Sequence, residues 1–281
     1  MDEKLLNLPP VAEMMRDAGL EPKKQLGQNF LFDLNLTSRI ARAVPDIANC
    51  VVVEVGPGPG GLTRALLMAG ARKVIAIEKD KAAAQILEKI ASAANGRLEI
   101  IYGDALKIGD WGLGTGDYSV CANLPYNIGT ELLINWLRLM AQSSVPSPQS
   151  LTLMFQREVA ERIVARVGDK QYGRLSVLTS LVADAKILFN VPNTAFVPQP
   201  KVKSTVVQIL PKAKFEQSTE HRAQSVDKVE KLTAKLFGQR RKMIRGIMPD
   251  VDWARFGLAG TERAEELPPE KFLEITTGIK L

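Results

Sequence analysis

The chain has 281 residues, 46% apolar and 24% charged, the composition of a soluble globular protein with material for one large domain or a large and a small one. A net charge of +6 and a pI near 9.3 point toward a polyanionic partner. The single histidine, His221, lies in a polar stretch, which excludes histidine-based metal sites and catalytic triads; no metal is expected. The two cysteines, Cys50 and Cys121, each abut an apolar run and read as buried, reduced thiols of a cytoplasmic protein. No apolar run reaches membrane-spanning length, and the opening Met-Asp-Glu-Lys carries neither a secretory signal nor an Arg-rich transit pattern.

Residues 1–22 read as an extension with a helical segment over Pro10–Ala18. From there, β-branched apolar runs alternate with helical periodicity. The runs Val51–Val55, Lys73–Ile77, Leu98–Ile101, Tyr118–Ala122 and Leu151–Phe155 predict buried strands. Helices are predicted between them and beyond, over Leu62–Ala69, Lys81–Ala94, Thr130–Met140 and Arg157–Val167. This is the pattern of an α/β protein with a parallel, doubly wound sheet. Two more strands, Lys186–Val191 and Ser204–Leu210, flank a loop carrying Pro192, Pro198 and Pro200 that is long enough for an antiparallel return. The main domain is expected to cover residues 23–211 and a small helical domain residues 212–281. In the latter, apolar residues at 226, 229, 232, 236, 237, 243, 244 and 247 follow helical spacing. Residues 211–250 hold ten Lys/Arg against five Asp/Glu. Arg240, Arg241, Lys242 and Arg245 are expected to end that helix with their cations outward, where they would contact phosphates; the alternative is that they neutralise the helix dipole.

The stretch from Glu54 to Thr63, Glu-Val-Gly-Pro-Gly-Pro-Gly-Gly-Leu-Thr, ends the first strand and opens a helix. Gly56, Gly58 and Gly60 let the backbone turn tightly and pass close to a ligand that a Cβ would strike. Gly56, Gly58 and Gly61 also fit the dinucleotide fingerprint, so the loop by itself does not separate NAD from S-adenosylmethionine. Glu78 ends the second strand and can accept both hydroxyls of a ribose. Asp104, after the third strand, can accept an adenine amino group, although an acid there also serves as a helix cap. The fourth strand runs into Asn123-Leu124-Pro125-Tyr126. The Asn123 side-chain oxygen and the Leu124 carbonyl can each accept an N–H of an exocyclic amine, turning its lone pair outward. Pro125 stiffens the loop, and Tyr126 offers a flat face for a flipped-out base. An ordinary strand-to-helix turn uses the same residue types.

Taken together, these residues closely resemble the ribosomal RNA adenine dimethyltransferase family. The resemblance extends through Gln28-Asn-Phe-Leu31, Gly103-Asp-Ala-Leu106, Phe155-Gln-Arg-Glu-Val-Ala-Glu-Arg162, Tyr172-Gly-Arg-Leu-Ser-Val177, Phe196-Val-Pro-Gln-Pro-Lys-Val202 and Phe237-Gly-Gln-Arg-Arg-Lys242. It implies a class I methyltransferase, Rossmann-like sheet of seven strands with the last antiparallel. It further implies S-adenosylmethionine, with S-adenosylhomocysteine as product, bound through Asn29, Leu31, Gly56, Gly58, Glu78, Asp104 and Asn123. The target base would lie between Tyr126 and Phe196. The implied substrate is a pair of adjacent adenosines in the 3′-terminal hairpin of small-subunit rRNA within a pre-ribosomal particle, and the enzyme would act as a monomer. Two features depart from the family pattern: Lys79-Asp80, where further acids are common, and the linker 143–150. The competing readings are a large-subunit rRNA methyltransferase, a mitochondrial transcription factor of the same fold, and a nicotinamide oxidoreductase.

Overall fold

Strands rich in Val and Ile form the centre of the molecule because they are apolar on both faces and can be covered by helices on both. A computed structural model describes residues 3–22, 28–107, 117–142, 147–212 and 219–279, the side chains of 219–224 excepted. Two short helices, α1 (Glu3–Leu6) and α2 (Val11–Asp17), precede the two-residue strand β1 (Phe30–Leu31) and α3 (Leu34–Ala41). The alternation then runs β2 (Val51–Val55), α4 (Gly61–Met68), β3 (Lys73–Glu78), α5 (Lys81–Ala93), β4 (Leu98–Tyr102), β5 (Tyr118–Asn123), α6 (Gly129–Ala141) and β6 (Pro148–Gln156). Helices α7 (Arg157–Val164) and α8 (Arg174–Val182) lead to β7 (Ala183–Val191), the two-residue β8 (Phe196–Val197) and β9 (Ser204–Pro211). The chain closes with α9 (Thr219–Phe237), α10 (Ile244–Ile247) and α11 (Pro269–Gly278).

The seven-stranded sheet has the order β4-β3-β2-β5-β6-β9-β7. Strand β9 runs antiparallel to both neighbours and the others are parallel, so the last strand in the chain is the reversed one, as expected. Alternate residues feed opposite layers. Val52, Val74 and Ala76 face one core, which they share with Leu66, Ile86, Leu87 and the N-terminal residues Leu5, Val11 and Met14. Val53, Ile75 and Val120 face the other, with Leu133 and Trp136 of α6 and Val177 of α8. That second core continues without a break into Val229, Leu232 and Leu236 of α9 and Phe272 and Ile275 of α11. The sheet therefore ends at Pro211, but the helices after it complete its apolar layer.

Arg64 of α4 fixes the N-terminal segment. Its guanidinium donates to the carbonyls of Pro9 (2.7 Å), Leu8 (2.9 Å) and Leu6 (3.3 Å). At the other boundary, Tyr172 donates to the Leu267 carbonyl at 2.8 Å and packs edge-on to Phe237. Arg138 of α6 pairs with Asp227 and Glu230 of α9.

Three expectations need correction, and three elements are new. The helix read from 226 to 247 stops at Phe237. Gly238 ends it, Met243 bridges to Arg263, and α10 is a separate turn. The helix read over 157–167 ends at Val164. Helices α3 and α8 and the β1–β8 ribbon were not anticipated. Of the linker 143–150, Pro148–Ser150 are the first residues of β6, and 143–146 lie outside the described residues.

The ribbon pairs Phe30 with Val197 and Leu31 with Phe196, and it is seated against α4. A Cβ at Gly61 would lie 2.3 Å from the Leu31 carbonyl oxygen. Gly61→Ala should therefore lower stability by about 1–3 kcal/mol, the usual cost of overpacking. Thermal denaturation checks this, and an unchanged melting temperature would mean that β1 yields freely.

Candidate active site

A cleft opens at the carboxyl ends of β2, β3 and β5, the position at which parallel α/β sheets bind ligands. Glu54 and Glu78 lie in its walls with Val55, Ile77 and Leu62, and Gly56, Pro57 and Gly58 bound it on one side. Asn29, Leu31, Asp104 and Asn123–Tyr126 line it as well, so all but one of the residues expected to serve the cofactor and the target base converge on it.

The exception is Phe196. Its side chain is 1% exposed, packed in the core beneath the β1–β8 ribbon, and it is not among the residues lining the cleft. The open sandwich of Tyr126 and Phe196 expected from the sequence is thus absent from this conformation. Tyr126 does face the cleft, half-buried, and its hydroxyl lies 2.9 Å from that of Ser204 at the start of β9. Burial raises the Tyr126 phenol above its ordinary pKa, with the Ser204 contact opposing.

Glu78 braces the glycine loop. One carboxylate oxygen accepts from the Gly58 amide at 2.9 Å and the other from the Asp80 amide at 2.7 Å. Burial pushes the Glu78 carboxyl upward, and these backbone donors oppose it. The glycine loop is also packed tightly against protein. A Cβ at Gly58 (φ 55°) would lie 2.7 Å from the Phe30 ring, so the loop must be glycine there for Phe30 to pack against it. Asp104 accepts from the Leu106 amide at 3.1 Å and pairs with Lys79 at 3.0 Å.

The wall at 28–31 is held at two points. Gln28 donates to Asp80 at 3.2 Å, and the Asn123 side-chain amide donates to the Asn29 carbonyl at 3.0 Å. With its NH₂ committed to Asn29, the Asn123 carboxamide has its oxygen left as an acceptor. After it, Leu124 is buried and the Pro125 carbonyl accepts from the Ile128 and Gly129 amides, which starts α6.

The basic residues of the C-terminal segment lie elsewhere. Arg240, Arg241 and Lys242 occupy the turn that directly follows α9 and not its last helical turn. Arg240 pairs with Glu265, whereas Arg241, Lys242 and Arg245 are exposed.

The sequence profile described as ribosomal RNA adenine dimethylase matches residues 19–280. The chain belongs to this family. By that membership it is a methyltransferase. Curated relatives named ribosomal RNA small subunit methyltransferase A include one from Chelativorans sp. (strain BNC1), 50% identical over 97% of this chain and 98% of its own. Another, from Paracoccus denitrificans (strain Pd 1222), is also 50% identical, over 97% and 96% of the two chains. Among solved structures, a dimethyladenosine transferase from Plasmodium falciparum superposes with a TM-score of 0.69 at 26% identity, covering 88% of this chain and 95% of that one. The 23S rRNA methyltransferase ErmE shares the fold, with a TM-score of 0.66 at 23% identity, over 89% and 98%.

Glu54, Gln28, Phe30 and Lys79 of this dimethylase line the cleft but were not assigned to the site from sequence. Glu54 carried a readable signal, a carboxylate inside a strand otherwise made of valine. It is 2% exposed and accepts from the Thr63 hydroxyl at 2.6 Å. Burial raises its pKa from 4.5 to about 8; the Thr63 bond opposes this and the nearby Glu78 adds to it. A carboxyl raised on folding stabilises the protein below its unfolded pKa and loses that contribution as pH rises through the folded value. Glu54→Gln, which can still accept from Thr63, should therefore gain melting temperature relative to the parent as pH rises from 5 to 8. Calorimetry without ligand tests this, and a difference that does not change with pH would count against a protonated Glu54.

Proposed function

We propose that this dimethylase transfers methyl groups from S-adenosylmethionine to N6 of two adjacent adenosines in the 3′-terminal hairpin of small-subunit rRNA. It acts on a pre-ribosomal small subunit, as a cytoplasmic monomer. The observation that carries the reading is the Asn123–Asn29 contact. It leaves the Asn123 oxygen as an amine acceptor beside the Leu124 backbone and the Tyr126 ring, at the mouth of a cleft whose acids suit an adenosine.

The cleft fits the cofactor by the chemistry of its donors and acceptors. Glu78 is backed by two backbone amides and keeps acceptor capacity for ribose hydroxyls, and Asp104 suits the adenine amine. Asn29, Leu31, Gly56 and Gly58 supply backbone and shape around the rest. Bound there, S-adenosylmethionine supplies an electrophilic methyl group for direct in-line transfer. The adenine nitrogen is a poor nucleophile because its lone pair is delocalised into the ring. Asn123 and the Leu124 carbonyl each accept one N–H and draw that lone pair out of conjugation. No side chain is required as a base during attack, since the proton becomes acidic only on the methylated nitrogen. Tyr126 provides the stacking face, held by Ser204, and Phe196 acts from beneath by seating the ribbon that carries Asn29. A second methylation of the same nitrogen uses one amine acceptor instead of two.

Methyl transfer from labelled S-adenosylmethionine to unmethylated small subunits, with the label mapped, tests the proposal. Label on large-subunit RNA instead would move the protein to the other branch. Asn123→Ala should fold normally and lose about 10²–10³ in rate, as for removal of one polar transition-state stabiliser. Near-normal turnover would remove Asn123 from the mechanism.

The exposed cations Arg241, Lys242 and Arg245 are the proposed rRNA contacts of the C-terminal segment, and Arg240 supports them through Glu265. Arg241→Ala with Lys242→Ala should weaken binding to small subunits and flatten its salt dependence by roughly 0.7–0.9 units of slope per lost contact. Binding measured across a salt series decides the matter. An unaltered slope would make these residues ordinary solvated surface.

A further inference from the structure

Lys79 is the first residue after β3, next to the carboxylate that braces the glycine loop. Its side chain is 65% exposed, and its ammonium is nonetheless paired. It crosses to the loop after β4, where its ammonium donates to one oxygen of Asp104 at 3.0 Å. The other oxygen of Asp104 accepts from the Leu106 amide at 3.1 Å. The Asp104 side chain is 23% exposed and lines the cleft together with Lys79. Its carboxylate is therefore held at both oxygens, by a backbone amide on one and the Lys79 ammonium on the other.

We infer that Lys79 is a positioning residue for cofactor recognition: its ammonium orients Asp104 so that the carboxylate is set to accept the adenine amine. The inference rests on the assignment of Asp104 to the adenine amine made above. A carboxylate held by the Leu106 amide only can rotate about its side-chain bonds, and a rotated carboxylate does not meet an in-plane amine. The ammonium on the second oxygen removes that freedom. Each carboxylate oxygen accepts more than one hydrogen bond, so the adenine amine can be received while Lys79 stays in place. The ammonium, ahead of the Leu106 amide, also holds Asp104 below the usual carboxylate range, and Lys107 adds to the same effect, which favours the ionised, accepting form. A neutral residue at 79 would leave the aliphatic reach but neither the orientation nor the charge. Arginine would keep both.

The test is calorimetric binding of S-adenosylhomocysteine, and of its analogue with hydrogen in place of the adenine amine, to the full-length protein. Lys79→Met should weaken the adenine ligand about two- to fivefold, the scale of an exposed ion pair. Lys79→Arg should restore the parent affinity. The effect of Lys79→Met should vanish for the deaminated analogue and in an Asp104→Asn background, since coupling through Asp104 is what the double-mutant cycle measures. If Asp104→Asn binds S-adenosylhomocysteine as tightly as the parent, the assignment of Asp104 falls and this inference with it. If Asp104→Asn weakens binding but Lys79→Met does not, the Asp104 assignment stands and Lys79 has no part in it. Equal losses for both ligands in Lys79→Met would also overturn the inference, by showing that Lys79 acts elsewhere on the cofactor.

Discussion

The site depends on one constraint: a carboxylate buried at the end of a strand must find donors. Glu78 finds them in the amides of Gly58 and Asp80, and in doing so ties the loop after β2 to the end of β3. Left without those amides, a buried carboxylate would protonate or rearrange, because the low-dielectric surroundings do not tolerate an unpaired charge. With them, the glycine loop is held against Phe30, and Phe30 belongs to the ribbon whose neighbour Asn29 orients Asn123. A hydrogen bond in the wall of the cleft is thereby linked, through packed groups, to the atom proposed to hold the substrate amine.

The parts of this arrangement that were legible in the sequence are those governed by local pattern. Val51–Val55 and Lys73–Ile77 announce buried strands because β-branched residues fill both faces of a covered sheet. Asn123–Tyr126 stood out because each residue type has a separate chemical use. Helix α8 gave no such signal. Ser176, Val177, Leu178, Thr179, Leu181 and Val182 are all buried, so it has no polar face to set a period. Helix α3 could have been read, since Asp33 caps it by accepting from the Asn35 and Leu36 amides.

Other parts were hidden because they are made by residues far apart in the chain. Phe196 reads as a stacking ring in its motif, but pairing of its strand with Phe30–Leu31 turns it into the core. Arg240 reads as a free cation until Glu265 appears beside it. The apolar spacing at 243, 244 and 247 continued the period of α9 by coincidence, since the helix stops at Phe237 and Met243 instead bridges to Arg263. Lys79 looked like an idle departure from the family pattern, and only the fold sets it against Asp104.

The second core runs from the sheet through α6 and α8 into α9 and α11 without an intervening polar layer. Tyr172, Phe237 and Phe272 form a run of aromatic contacts across that junction, with ring centroids 5.9 and 5.7 Å apart. Cooperativity follows from such continuity. A segment whose removal uncovers the apolar face of its neighbour cannot unfold while that neighbour stays intact. The half of the molecule that carries the basic turn and the half that carries the cleft therefore melt as one body. Proteolysis within the C-terminal helices would then cost the half that carries the cleft its fold as well.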